Sequence, residues 1–557
     1  MSERKIVECV PNFSEGRDRS IIDAISKSIA SVQGVSLLDV DPGADTNRTV
    51  YTFVGDPDSV IEAAVRSAAT ARSLIDMSKH SGAHPRMGAL DVCPFVPVSG
   101  VTMADCVALA KRAAERMAAE LSVPVYLYEY AASRPERRSL ADIRSGEYEA
   151  LAEKLAKPEW LPDYGPASFV PGWGATVVGA RDFLIAYNVN LNTRDRKLAN
   201  EVALNVREGG RAARDASGAI VKGADGEKVM LPGRLKNVRA IGWYIDSYRK
   251  AQVSINLTNY KETSLHVVYE TVKEEAEKLG LSVCGSELVG LVPLEPLVEA
   301  GRYYLGRMGK SAGAPEPELL ELAAATMGLD SVAPFDPAKK VIDYVARPAS
   351  PLVGMRVDAF VDEVSSESPA PGGGSVAALA GSMAAALSAM VANLTVGKKG
   401  YEGVWAPMSD MAVRAQSVKS ALARAVDEDT NAFNAVMDAM KLPKATPAEK
   451  AERDAALQAG YKSAVEVPLA TALACVEALG LAMEAVAGNR NSASDAGVAA
   501  LMARAGAQGA ALNVLINLGS ISDAKYVADM KSSVASIRAE ADELCARALA
   551  AVEATFG

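Results

Sequence analysis

The chain has 557 residues, 49% hydrophobic and 23% charged, which excludes a disordered or fibrous protein and exceeds the length that one hydrophobic core organises. A formal net charge of −10 disfavours nucleic acid as the main partner, because proteins that hold phosphate backbones carry a basic face. Six scattered cysteines without a CxxC pair speak against a disulfide framework and fit reduced thiols in the cytosol.

The opening MSERKIVECVPNF runs from charged residues straight into a strand-like segment and lacks the apolar stretch of a secretory signal, so a cytoplasmic location is expected. Strand-like runs (IVECV, VSLLDV, RTVYTFVG, ALDVCPFVPV, VPVYLYEY) then alternate with helical ones (SIIDAISKSIASV, VTMADCVALAKRAAERMAAEL), the pattern of an α/β domain. The Pro/Gly-rich, aromatic LPDYGPASFVPGWG marks the join to a second α/β subdomain, with strands in TVVGARDFLIAYNVNL, VRAIGWYI and AQVSINL. Beyond the Pro-containing stretch Met327 to Leu352 the β-branched runs disappear and alanine-rich helical periodicity takes over.

The expected organisation is multidomain: α/β subdomains over 1–180 and 181–328, a linker over 329–352, and an all-α helical bundle over 353–557. Val376 to Leu394 is long and apolar, yet it is mostly alanine and is interrupted by Gly381, Ser382, Ser388 and Asn393. A buried bundle helix is therefore expected there, not a membrane span.

VECVPNFSEGR, LLDVDPGADTNRTVYTFVG, HPRMGALDVCPFVPV and GPASFVPGWGATVVGAR resemble the glutamate formimidoyltransferase half of the formimidoyltransferase-cyclodeaminase family. VDEVSSESPAPGGGSVAALAG, AVDEDTNAFNAVMDAMKLPK and NRNSASDAGVAALMARAGAQGAALNVLINL resemble the cyclodeaminase half, in the family's order. The resemblance implies transfer of a formimino group from formiminoglutamate to tetrahydrofolate, then ring closure with loss of ammonia, in histidine degradation. It also implies a homo-oligomer and tetrahydrofolate, polyglutamylated, as co-substrate. Neither metal nor nucleotide is required by this chemistry. Relatives of the second half include methenyltetrahydrofolate cyclohydrolases, so that activity, a formyl donor and a non-catalytic oligomerisation module stay open as alternatives.

Formimino transfer needs a proton shuttle, a role suited to histidine near neutral pH. His84, one of three histidines, lies in the Gly/Pro-punctuated loop SGAHPRMG before a strand, and it matches the family's catalytic histidine position. His80 is four residues away, but Gly82 and Pro85 oppose the helix that would make the two a metal pair. Arg86 offers a fork for a substrate carboxylate or a structural ion pair. Asp39, closing the apolar run VSLLDV, is expected to orient His84 or the amine. The stretch Gly165, Pro166, Ala167, Ser168, Phe169, Val170, Pro171, Gly172, Trp173 and Gly174 resembles the family's folate-binding loop, with Phe169 and Trp173 as stacking candidates.

Ring closure with loss of ammonia needs an acid near the departing nitrogen. Leu422, Val426, Asp429, Phe433, Val436 and Met440 follow the steps of a buried helical stripe, and Asp429 is the acid that interrupts it. Asp429 also matches the family's proposed cyclodeaminase residue, whereas Asp427 is expected on a solvated face with Arg424 and Asn431. Gly372, Gly373, Gly374 and Ser375 open a helix whose free N–H groups can receive an anion or carbonyl oxygen. Asn489, Ser494 and Asp495 are either further polar contacts to that pocket or a helix cap. Lys441 and Lys444 are candidates to hold a polyglutamate tail.

Overall fold

The computed structural model describes residues 5–44, 46–82, 85–246, 248–345 and 351–556. The chain folds into two compact units, residues 2–297 with 327–347, and residues 298–326 with 348–557.

The first unit opens with a sheet of seven strands: β1 Ile6–Cys9, β2 Asn12–Phe13, β3 Val35–Gly43, β4 Arg48–Gly55, β5 Leu90–Ser99, β6 Val125–Glu129 and β7 Thr176–Ala180. β1 and β2 are successive pieces lying between β4 and β5, and β3 covers the outer edge of β4, all antiparallel. β5, β7 and β6 then continue in parallel, which their helical crossovers require. Helices α1 Arg19–Ala30, α2 Pro57–Leu74 and α3 Met103–Leu121 bury Ile22, Ile25, Ile29, Cys106 and Met117 against one face of this sheet. Their starts are set by Asp18, Asp56 and the Thr102–Asp105 capping box, each supplying an acceptor to otherwise unpaired N–H groups. Short helices α4 Leu140–Ile143 and α5 Leu151–Leu155 cover Tyr126, Tyr128 and Val177 on the other face.

A second, antiparallel sheet follows in the same unit, built from β8 Ile185–Leu191, β9 Val238–Ile245, β10 Lys250–Leu257 and β11 Val283–Val289 in the order β9-β10-β8-β11. Helices α6 Arg196–Val206 and α7 Leu265–Lys278 pack on it.

The second unit is helical. α8 Leu294–Arg307 and α9 Glu316–Met327 contribute all but their first or last residues to it, while the short α10 Pro337–Lys340 and α11 Ile342–Val345 belong with the sheets. α12 Val357–Val364 precedes five long helices: α13 Gly373–Asn393, α14 Trp405–Lys441, α15 Pro447–Ala485, α16 Ala493–Asn517 and α17 Ala524–Glu553. α13 packs against α14, α15 and α16 through Gly381, Ala384, Ala385 and Ala389, small residues that bring the backbones close. Among the described residues, three helices reach the length and mean hydropathy of a membrane crossing; in α13, 67% of the apolar window is buried within the bundle.

Candidate functional site

Two clusters, one in each unit, gather some of the residues singled out on the sequence. In the first, β4 begins after a tight turn at Asn47, whose φ of 48° is a left-handed conformation that asparagine tolerates. Asn47 Oδ1 accepts the Gly16 N–H at 3.0 Å, its Nδ2 donates to the Ser81 carbonyl at 2.9 Å, and its own carbonyl lies 2.9 Å from His80 Nε2. Arg86 Nε donates to His80 Nδ1 at 3.3 Å, so Nδ1 is the acceptor and Nε2 carries the proton given to Asn47. Burial lowers the His80 imidazole below its ordinary value.

His84 lies outside the described residues. Arg86, two residues on, is 8% exposed, and its fork is taken by Glu149 at 2.7 and 2.9 Å and Glu147 at 3.1 Å. Of its two expected uses, the structure displays the ion pair. Beneath it, Asp91 accepts the Met87 N–H at 2.8 Å and pairs with Arg144, and its burial outweighs that cation, raising the carboxyl. Among the described residues no group of three His, Cys, Asp or Glu is placed to hold a metal.

Asp39 is not at the carboxyl end of its strand, where the sequence placed it, and its expected partner His84 lies outside the described residues. Asp39 lies mid-strand in β3, opposite Thr52 and next to a bulge, with its side chain exposed on the sheet's edge strand. Trp173 is also corrected as a stacking residue: it is fully buried, its Nε1 donating to Thr176 Oγ1 at 3.0 Å. The loop carrying it docks through Ala89 N–H to the Trp173 carbonyl and Ala175 N–H to the Met87 carbonyl, which draws the indole into the core. Gly174, at φ 81°, lies where a Cβ would strike the Met87–Gly88 backbone. Phe169 stays half-buried, tilted against Tyr148 at 5.4 Å, and Gly165, Ala167, Ser168 and Pro171 are exposed. Tyr148 OH donates to the Pro171 carbonyl at 2.6 Å, so this loop shares one neighbourhood with Arg86.

In the helical unit, Gly374 and Ser375 in the first turn of α13 meet Asp429 of α14. Ser375 Oγ donates to the Val426 carbonyl at 2.8 Å and lies 3.3 Å from Asp429 Oδ2 and from Thr430 Oγ1. Gly372 gives α13 no side-chain cap, and the Asp429 carboxylate lies against the first turn of that helix instead. A Cβ on Gly374 would lie 2.5 Å from Asp429 Oδ2, so only glycine admits the carboxylate. Burial raises the Asp429 carboxyl above its ordinary value, and the Ser375 hydroxyl and N–H pull it back in part. The group is half-buried, poised to carry or give up a proton beside the N–H groups of Gly373 and Gly374, which make no hydrogen bond among the described residues.

Two expectations for this unit fail, and a choice left open on the sequence is decided. Asp427 is 6% exposed, not solvated, because its carboxylate accepts the N–H groups of Leu352 and Val353 at 2.9 and 3.2 Å. Met440 is exposed, and Ala439 takes the buried position in that last turn. Asn489 hydrogen-bonds to Thr395 and Lys398 past the C-terminal end of α13, about 30 Å along the helix from Ser375, so Asn489, Ser494 and Asp495 do not join that pocket. Asn489 caps the start of the short helix ahead of α16, the second of its two expected uses. Lys444 lies exposed in the turn after α14, and the nearby Lys441 pairs with Asp438 at 2.9 Å.

Sequence-family profiles match in three blocks: the formiminotransferase domain, N-terminal subdomain, at residues 6–181; the formiminotransferase domain at 186–347; and formiminotransferase-cyclodeaminase at 356–536. The formimidoyltransferase-cyclodeaminase of Rattus norvegicus is 47% identical over 99% of both chains. The chain belongs to the formimidoyltransferase-cyclodeaminase family.

Each part also has a free-standing relative. A glutamate formimidoyltransferase of Streptococcus pyogenes is 43% identical over 54% of this chain and 93% of its own. A methenyltetrahydrofolate cyclohydrolase of Methylorubrum extorquens is 42% identical over 34% of this chain and 91% of its own. Two polar residues of the first cluster, Asn47 and Glu149, are not among those the sequence singled out. Asn47 stood in GADTNRTV, where asparagine after Gly and Asp signals a left-handed turn. Glu149 carried no local signal, since its partner is 63 residues away.

Proposed function

We propose that the chain is a bifunctional folate enzyme that transfers the formimino group of formiminoglutamate to tetrahydrofolate and then closes the ring to 5,10-methenyltetrahydrofolate with release of ammonia. In the first reaction the folate N5 attacks the formimino carbon, the bond from that carbon to the glutamate nitrogen breaks, and His84 carries the proton from one nitrogen to the other. In the second, N10 attacks the carbon of the protonated formimino group, the N10 proton passes through Asp429 to the formimino nitrogen, and the bond from that carbon to this nitrogen breaks, releasing ammonia and leaving the methenyl cation. The observation that carries this reading is the meeting of Asp429 with Gly374 and Ser375, two motifs 54 residues apart joined at one half-buried carboxyl.

Tetrahydrofolate serves as co-substrate, polyglutamylated, in cytoplasmic histidine degradation, without metal or nucleotide. Assembly into a homo-oligomer is supported by Val376, Met383 and Met390, which are 41%, 44% and 37% exposed at seven-residue spacing along one side of α13. The second reading, a cyclohydrolase in the helical half, is favoured by the Methylorubrum relative. A coupled assay with formiminoglutamate and tetrahydrofolate separates the two: methenyltetrahydrofolate absorbance with equimolar ammonia supports the proposal. Glutamate release with neither refutes the second step.

A further inference from the structure

Asn513 stands in the apolar run GAALNVLINL of α16, at the end of that helix which meets the start of α13. A Cβ on Gly373 would lie 3.3 Å from Asn513 Nδ2, just as one on Gly374 would meet the Asp429 carboxylate. The two adjacent glycines therefore leave room for two polar side chains, one from α14 and one from α16, against a single turn of α13.

The orientation of the Asn513 amide follows from its hydrogen bond within α16. Nδ2 donates to the Gly509 carbonyl at 2.9 Å, and a carbonyl can only accept, so the NH2 group must face it. Oδ1 is left as an acceptor without a hydrogen bond among the described residues, on a half-buried side chain. A formimino folate and its formyl analogue differ in one respect at this position: a formimino nitrogen bears N–H donors, whereas a formyl oxygen only accepts.

We propose that Asn513 is a specificity-determining residue of the cyclodeamination site, its Oδ1 accepting a hydrogen bond from the formimino nitrogen. The proposal rests on the cyclodeaminase reading above. It assigns to Asn513 the choice between nitrogen and oxygen, while Asp429 handles the proton.

The test uses the full-length chain with Asn513→Leu and Asn513→Ala. Two quantities are read: kcat/KM for ammonia release from 5-formiminotetrahydrofolate, and the inhibition constant of 5-formyltetrahydrofolate against that release. Loss of one substrate hydrogen bond predicts a fall in kcat/KM of roughly tenfold or more in both variants, with the formyl analogue inhibiting as before. Unchanged kcat/KM overturns the proposal, and so does a parallel weakening of the formyl analogue, which is the mark of a purely structural role. Circular dichroism melts report whether each variant is folded; if Leu disrupts the bundle, Ala decides. A wild-type chain that releases no ammonia removes the cyclodeaminase reading and this inference together, whereas active wild type with active variants removes this inference alone.

Discussion

Burial raises carboxyl groups in both units, and two of them, Glu8 and Asp429, differ in kind in their surroundings. Glu8 lies in β1 between Val54 of β4 and Val96 of β5, 4% exposed, and burial pushes it up to about 7 against the pull of Arg181. Asp429 is half-buried, held by Ser375 and flanked by glycine, with the start of α13 before it. A raised pKa is thus common to a sealed carboxyl inside a sheet and to one that borders a cradle of unpaired donors. What separates them is access, and only the second can meet a substrate.

Substituting the two carboxyls should break the likeness. Asp429→Asn should lower ammonia release by about 10²–10⁴-fold while glutamate release persists, measured on the same protein with both products followed. Glu8→Gln should act on stability. Between pH 4.5 and about 7 the native state keeps a proton that the unfolded chain has released, so stability falls as pH rises through that window. The difference corresponds to about 3 kcal/mol, so the variant's advantage in denaturant titrations should be absent below pH 4.5 and full above 7.

Gly374→Ala drives a Cβ into the Asp429 carboxylate and should cost about 1–3 kcal/mol of stability together with ammonia release. Gly480, inside α15, has open space where its Cβ would stand, so Gly480→Ala should raise stability by about 0.5–1 kcal/mol in thermal melts and leave both activities unchanged. Equal behaviour of these two glycine variants would show that Gly374 does not serve to admit the carboxylate.

Helical periodicity made Asp429 legible, because a stripe of Leu422, Val426 and Val436 identifies the buried face of α14 without knowledge of its neighbours. The same wheel misplaced Asp427, since it says which residues share a side and not that residues 352–353 return to cover it. The two uses open to Asn489 could not be separated on the sequence for a related reason. α16 runs antiparallel to α13, so its start meets the far end of that helix and its last turns, with Asn513, meet Gly373. In the α/β unit the alternation of strands and helices was legible, but Arg86, His80 and Asn47 are joined through loops whose partners lie up to 63 residues apart. Trp173 shows the same limit: the backbone contacts of its loop, not its Gly/Pro surroundings, decide that the indole faces inward.

The most direct test of the central claim, that the helical unit closes the folate ring with a carboxyl raised by burial, is the pH profile of ammonia release from 5-formiminotetrahydrofolate. Acid action by Asp429 predicts a rate that falls with rising pH through one ionisation above the ordinary carboxylate range. That limb should move higher in Ser375→Ala, which loses a hydroxyl that lowers the pKa, and vanish in Asp429→Asn. A profile unchanged by both substitutions would contradict the account.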